Sequence, residues 1–511
     1  MTDKSKTEKL ISSDDKQSVI DGILDMVFNS KAYEVPWISE KLMELSKNKD
    51  LNIAGLSLTC FGHLARLHSN IGDYDKVISL LHSKQDDPEL QGRAEDALED
   101  ISLFLSEKFE NNVVIPVLLL IFVISMFLKK NWKEFFSKID MKFSIFLIIF
   151  VVMSFMIAVF DGGIGSRLDN YNLRYLIFFP LVYFINNNKR IFDFLKSFLF
   201  GGTVILILAI FNFIKNYNEW AHPKGFDYPR VTAILTVQDF ANIMCIIFLY
   251  LLSFLLFYKN EDNKKNKIIK IYLAIMSVLV LFIVIVNRSK MVYICLIPTI
   301  LYIMYKKRKR YVLAVILMCF AGYFMLPVSI SNRIQYIVKY KNDPSSNLRV
   351  IFWKTGIEAF KQKPLYGWKA EERKKFNLDY YKKTGVSDYV YKYFLTGNKL
   401  RTQHYVASHN SYLQYLLDFG ILGFVFFILM IISLLVKLFK MNFYKYDKNT
   451  KIIAFEIGTK VSFLAWIIQG MTDDNLNDKH LIITLTVLIF FIDYLYRNIK
   501  NQKNLNLESI E

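Results

Sequence analysis

One histidine and four arginines stand where this chain meets a membrane boundary, and their chemistries are complementary. His409 lies in the run ASHNS, between Ser408 and Asn410, just before a long apolar stretch. A neutral imidazole there accepts a proton from a hydroxyl near neutral pH; an equally simple reading makes it a cap for the helix that follows. Arg174, Arg230, Arg288 and Arg349 open apolar segments or sit in the polar stretches between them. An arginine beside a span is costly unless it pairs or meets a ligand. Its guanidinium also forks onto phosphate oxygens and stays charged at any relevant pH. Four on one face fit a diphosphate-sized anion, although Arg174 and Arg230 fit snorkelling to lipid headgroups just as well. Asn410 and His404 are the candidate supporting groups.

Such residues need a frame, and the composition points to a bilayer. With 53% hydrophobic and 16% aromatic residues in 511, the chain is too apolar for a string of soluble domains. Segments long enough to cross hydrocarbon as helix lie at 113–128, 141–160, 174–187, 192–214, 231–257, 268–286, 289–305, 310–327, 411–437, 452–470 and 480–497. The expected fold is an all-α, polytopic membrane protein of about eleven transmembrane helices. Short loops rich in Lys and Arg, such as KKRKR at 306–310, recur at every second connection, which assigns them to the cytoplasm and the alternate loops to the outside. The largest outward loop, 328–410, carries Arg349 on a helix and ends at His409. The expected parts are an acidic helical head at 1–110, spans at 111–327, the loop at 328–410, spans at 411–497 and a polar cytoplasmic tail at 498–511.

The head differs from the rest. Residues 1–112 hold 13 Lys and Arg against 21 Asp and Glu, a net of −8, so the remainder carries +26 of the total +18. That basic excess lies in short loops between spans, which suits anionic headgroups and not nucleic acid. Short amphipathic helices break near Ser30, Asn48, Ser69 to Gly72 and Gln85 to Pro88. NIAGLSLTCFGHLARLH and ELQGRAEDALEDISLFL repeat at an offset of 37 residues, which resembles a small HEAT-like solenoid. The segment is similar in general pattern to the small helical immunity-type proteins of bacteria, and a plain helical bundle fits it equally. Eleven spans with a cytoplasmic C-terminus put this head outside, yet its first residues contain no apolar export signal. Either a further span exists or the head stands in place of a first one.

From Ser346 to Gly423 the chain reads SNLRVIFWKTGIEAFKQKPLYGW, then a polar insert, then SHNSYLQYLLDFGILGFVFF. Arg349, Trp353, Pro364, Gly367, His409, Asn410, Gly420 and Gly423 stand in an order that resembles the O-antigen ligase and polymerase superfamily of membrane glycosyltransferases. Over residues 113–500 the order of spans and loops also agrees. The resemblance implies a fold of usually twelve spans, in the bacterial inner membrane, with the large loop facing the periplasm. It implies transfer of a polysaccharide from undecaprenyl diphosphate to the lipid A core, in lipopolysaccharide biosynthesis, by an inverting displacement that demands no metal or other cofactor. His409 is then the base, and Arg288 and Arg349, with Arg230 and Arg174, hold the diphosphate. The partners implied are the lipid-linked glycan donor, the lipid A core acceptor and membrane lipids. An O-antigen polymerase is the rival within the same chemistry, and a glycolipid flippase the rival from another class. Where many members open a span with a Gly and Pro-Asn pattern, this chain has Thr232, Gln238 and Asp239.

Other polar groups are expected to be bland. Arg333, Arg373 and Arg401 read as solvated, and Asp473, Asp474 and Asp478 with His480 as a solvated outer turn. Four separate cysteines form no framework. No P-loop, dinucleotide fingerprint or zinc-protease motif occurs.

Overall fold

A computed structural model describes residues 4–68, 70–130, 132–160, 171–222, 230–326, 328–387, 390, 408–446, 449–473, 475 and 479–508. The chain divides into two compact units, Met1–Ile121 and Phe122–Glu511. No strand occurs among the described residues.

The first unit contains α1 (Lys4–Ile11), α2 (Lys16–Phe28), α3 (Val35–Leu45), α4 (Leu51–His68), α5 (Tyr74–Lys84) and the start of α6 (Gln91–Lys129). The helix breaks fall where the turn residues stand, and carboxylates start the helices that follow. Asp15 accepts from the Ser18 N–H to cap α2, and Asp73 from the Lys76 N–H to cap α5. The two repeat copies pack side by side and parallel. A side chain at Gly55 would meet Arg93, and one at Gly62 would meet Asp100. Both pairs are 38 residues apart, one more than the offset of the repeat. α6 continues as helix through Asn111 and Asn112, where the composition changes.

The second unit continues with α7 (Trp132–Lys138), α8 (Met141–Phe160), a 3-10 turn (Tyr171–Ile177), α9 (Phe178–Phe184), α10 (Asn188–Lys215), α11 (Tyr217–Ala221), α12 (Val237–Phe257), α13 (Asn263–Val286), α14 (Lys290–Lys307) and α15 (Arg310–Met325). The loop segment folds as α16 (Val328–Val338), α17 (Pro344–Gln362) and α18 (Ala370–Lys383). Then come α19 (Ser411–Lys440), α20 (Phe443–Tyr446), α21 (Thr450–Gln469) and α22 (Lys479–Glu508). Among the described residues six helices are long and apolar enough to cross a membrane, and shorter apolar helices accompany them. The second unit is thus an all-α polytopic membrane protein.

Burial sorts the spans into a centre and a periphery. The apolar windows of α12, α21 and α22 are 78%, 83% and 78% buried, against 17% for α10. Helices this apolar all round belong either in a protein core or against lipid. Small residues let the central helices close up. Gly458 leaves room for the Tyr250 ring, whose hydroxyl lies 3.0 Å from the Thr459 hydroxyl.

Two expected spans differ in form. The third, 174–187, is a 3-10 turn followed by a short helix that ends at Phe184. Pro180 lacks an N–H, so it is tolerated only in the first turn of α9, and Asn187 already caps α10. The fifth, 231–257, becomes helical only at Val237, where the Thr236 hydroxyl accepts from the Asp239 N–H at 3.3 Å. Residues 231–236 are non-helical, with a bend at 233–235, and are held from outside: the Asn287 side chain donates to the Val231 carbonyl at 2.7 Å. At the other end of the chain, α22 runs as helix into the polar tail as far as Glu508.

Candidate functional site

The site begins with the start of α19. Asn410 takes extended backbone and its side chain accepts from the Leu413 N–H at 3.0 Å, so Asn410, and not His409, caps the helix. The Ser411 N–H donates to the Gly470 carbonyl at 2.9 Å. The Ser411 hydroxyl lies 2.8 Å from the Asp473 carbonyl oxygen and 2.7 Å from Asn475 Oδ1, and donates its one proton to either. These bonds stitch α19 to the segment that follows α21. His409 is thereby held at φ 48°, a left-handed conformation that costs a residue with a Cβ about 1–2 kcal/mol. Its ring stacks on Phe352 of α17, with centroids 5.8 Å apart.

The electrostatics follow from this packing. Burial, reinforced by the Arg349 guanidinium and opposed by Asp473, pushes the His409 imidazole down to about 4. His409 is therefore neutral at physiological pH. Arg349 Nη2 lies 3.3 Å from Asp473 Oδ1; the arginine side chain keeps 18% of its surface exposed and the aspartate 4%. His409, Arg349 and Asp473 thus form one cluster, in which a neutral acceptor lies beside a partly exposed cation.

The turn between α13 and α14 is joined to the same place. Lys290, at the start of α14, pairs with Asp343 and donates to the Ser346 hydroxyl at 2.7 Å. Asp343 in turn caps α17, accepting from the Ser346 N–H at 2.7 Å. Burial acts to raise the Asp343 carboxyl, but Lys290 and Ser346 outweigh it and hold it below the usual carboxylate range. One buried clasp therefore fixes the helix that carries Arg349 onto the turn that carries Arg288.

Arg288 itself is not on the surface, where a short polar hairpin between two apolar runs would put it. It is fully buried, at φ 63°, and its guanidinium stacks 4.2 Å above the Trp220 ring while donating to the Trp220 carbonyl at 2.9 Å. The Trp220 indole N–H donates to the Val286 carbonyl at 2.9 Å, so the short helix α11 folds down over the turn. A desolvated arginine gains most from an aromatic face and a carbonyl at once. Arg230 is half-buried beside Val231, the residue bonded to Asn287 of the same turn. Arg174 is buried in the 3-10 turn; its neighbour Tyr175 packs on Phe150, which stacks on Tyr415 of α19. His404 and Arg401 lie outside the described residues, as does the side chain of Arg333.

The glycines and proline of the motif serve α19. Gly420 breaks the helix at φ 60°, and a side chain there would collide with the Leu365 carbonyl. The turn from Pro364 to Trp368 fills the break: the Ile421 N–H donates to the Pro364 carbonyl and the Trp368 N–H to the Leu417 carbonyl, both at 2.8 Å. Arg373, expected to be solvated, is 1% exposed and bonds Asp418 at 2.8 Å. Asp418 also accepts from Gln414, whose Oε1 accepts from the Ser408 N–H. The loop helices thus brace the backbone immediately before His409.

Asp473 is likewise no solvated turn residue; it is 2% exposed and neutralises Arg349. His480, one helix start further on, lies 3.5 Å from Asp239 of α12. Sequence reasoning missed the roles of Asp473, Lys290, Asp343 and Asp418. The available signal was charge balance, because each buried cation required an acid from somewhere in the chain. No group of three or more His, Cys, Asp or Glu side chains able to hold a metal occurs among the described residues.

Residues 273–428 match the family model described as O-Antigen ligase. The matched stretch contains Arg288, Arg349, His409 and the Gly420 break, while Arg174, Arg230 and Asp473 lie outside it. No curated protein matches the chain.

Proposed function

We propose that this chain, whose residues 273–428 match the O-Antigen ligase family model, is an O-antigen ligase. It transfers a polysaccharide from undecaprenyl diphosphate to a hydroxyl of the lipid A core, at the periplasmic face of the inner membrane. The observation that carries this reading is the neutral His409, held in a left-handed conformation beside the Arg349–Asp473 pair.

His409 takes the proton of the acceptor hydroxyl as that oxygen attacks the anomeric carbon. The bond from that carbon to the phosphate oxygen breaks, and the lipid diphosphate leaves as an anion. A single displacement of this kind inverts the anomeric centre. A base whose conjugate acid lies near 4 is always ready to accept but accepts weakly. The bound diphosphate corrects this, because its charge offsets Arg349 and raises the imidazole when substrate is present. Arg349, partly exposed and directed by Asp473, meets the growing negative charge, which is usually the largest catalytic contribution. Arg230, half-buried, and Arg174, buried in the 3-10 turn, are the further candidates to hold the diphosphate. Arg288 reaches phosphate only when α11 and Trp220 move aside; until then it positions the turn clasped to α17.

Expression in cells that lack their own ligase tests the assignment. The intact chain should attach polymeric O-antigen to lipid A core, visible as a ladder of bands, and His409→Ala should abolish the ladder at unchanged membrane levels. An absent ladder with the wild-type chain, or a full ladder with the variant, overturns respectively the ligase assignment and the base. Polymer that lengthens on its lipid carrier without reaching lipid A core assigns the chain to the polymerases.

A further inference from the structure

The basic run at 306–310 takes no part in the site. α14 runs for 18 residues, from Lys290 beside the site to Lys307. At ~1.5 Å per residue that is about 27 Å, so its end lies on the far side of the bundle. There α14, α19 and α21 enclose a cavity of about 300 Å³.

Its lining is of two kinds. Leu435, Phe439 and Leu464 form an apolar wall, and Phe439 is 81% exposed, so the wall runs out onto the lipid-facing surface. Tyr302, Tyr305, Lys306 and Asn442 form a polar rim. Among the described residues none of these four side chains has a hydrogen-bond partner, and Lys306 lies only over the Tyr302 ring, 5.7 Å from its centre. At the deep end Lys460 donates to the Met441 carbonyl at 2.6 Å and to Glu456 at 2.5 Å, and Glu456 also accepts from the Phe443 N–H at 2.9 Å. Glu456 is thus committed to groups inside the protein. The charge on the rim is that of Lys306, with Lys309 over the Tyr305 ring 5.8 Å from its centre.

We propose that this cavity binds one anionic phospholipid. Its phosphate sits against Lys306 and accepts from the Tyr302 and Tyr305 hydroxyls and the Asn442 amide, while an acyl chain follows Leu435, Phe439 and Leu464. A free phosphate has no use for the apolar wall, and a zwitterionic headgroup brings its own cation to compete with the lysine. Basic pockets between spans select anionic headgroups for this reason.

The test uses the full chain in mild detergent, with dioleoyl phosphatidylglycerol and dioleoyl phosphatidylcholine added in equal amounts and retained lipid read by native mass spectrometry. The wild type should hold one phosphatidylglycerol in preference to phosphatidylcholine. Lys306→Gln should cut that retention about fivefold, the change expected for one lysine at an anionic headgroup. Lys264→Gln, which removes an equal charge from an exposed position at the start of α13, should leave it unchanged. Phe439→Ser should lower it without touching a charge. Equal losses in the two lysine variants would reduce the effect to diffuse attraction and overturn the site. Displacement of the lipid by millimolar inorganic phosphate would assign the rim to a free anion and overturn the phospholipid.

Discussion

Two clusters of charge lie at opposite ends of α19, and they are completed differently. At the C-terminal end, Lys437 is 3.1 Å from Asp140 and donates to Asp493 at 2.8 Å, while Arg497 closes on the second Asp493 oxygen at 2.8 Å. Lys437 and Asp493 are buried, and the helices around them are regular. At the N-terminal end Asp473 meets Arg349 at 3.3 Å, the cation stays partly exposed, and His409 beside it is twisted to φ 48°. The first cluster is complete in itself and joins α8, α19 and α22. The second keeps a partly exposed positive charge beside a strained backbone. Strain persists only where the surroundings impose it, and here they do so through bonds to α17, α18 and the segment after α21. What separates the two ion pairs is therefore the partly exposed cation and the strained backbone beside it at one end, against a fully enclosed pair at the other.

This contrast can be broken by exchanging the expected losses. Arg349→Ala should lower glycan transfer about 10²-fold or more with little change in the amount of folded protein, because it removes charge aimed at the leaving group. Transfer rate at matched protein levels is the measurement. Lys437→Met should do the reverse. Breaking this buried pair leaves Asp493 to Arg497 alone and costs up to about 3–5 kcal/mol, read as a lower unfolding midpoint in detergent, with the rate per folded molecule unchanged. If Lys437→Met slowed transfer as much as Arg349→Ala at equal folded amounts, the two ends would not differ in kind.

Much of the fold was legible from the sequence, and the reasons are specific. Runs such as the one after Ser411 can only be helices in lipid, and the caps Asp73, Asn187, Thr236 and Asn410 stand one residue ahead of theirs. His409 and Arg349 stood out as candidates, since imidazole and guanidinium near a span have few bland uses, and the fold places them in one cluster. Partners far apart in sequence were not. Asp473 lies 124 residues from Arg349 and Asp343 53 from Lys290, and no local pattern marks either. Arg373 looked solvated because its acid, Asp418, sits inside an apolar helix 45 residues on. Arg288 was misplaced for a similar reason: nothing near it in sequence announces that Trp220 will fold over it.

The most direct test of the central claim, a neutral buried base beside Arg349, is the pH dependence of kcat/KM for the lipid diphosphate donor, which reports the protonation of the free enzyme. Protonated His409 cannot accept, so activity is lost as pH falls through its folded value. With the imidazole pushed down to about 4 by burial and by Arg349, the profile should stay flat from pH 8 to about 5 and fall only below that. Arg349→Gln should move the residual fall toward higher pH, because one of the two groups that hold the proton off is gone. A wild-type profile that falls through about pH 6.5, the value of a solvated histidine, would contradict the account.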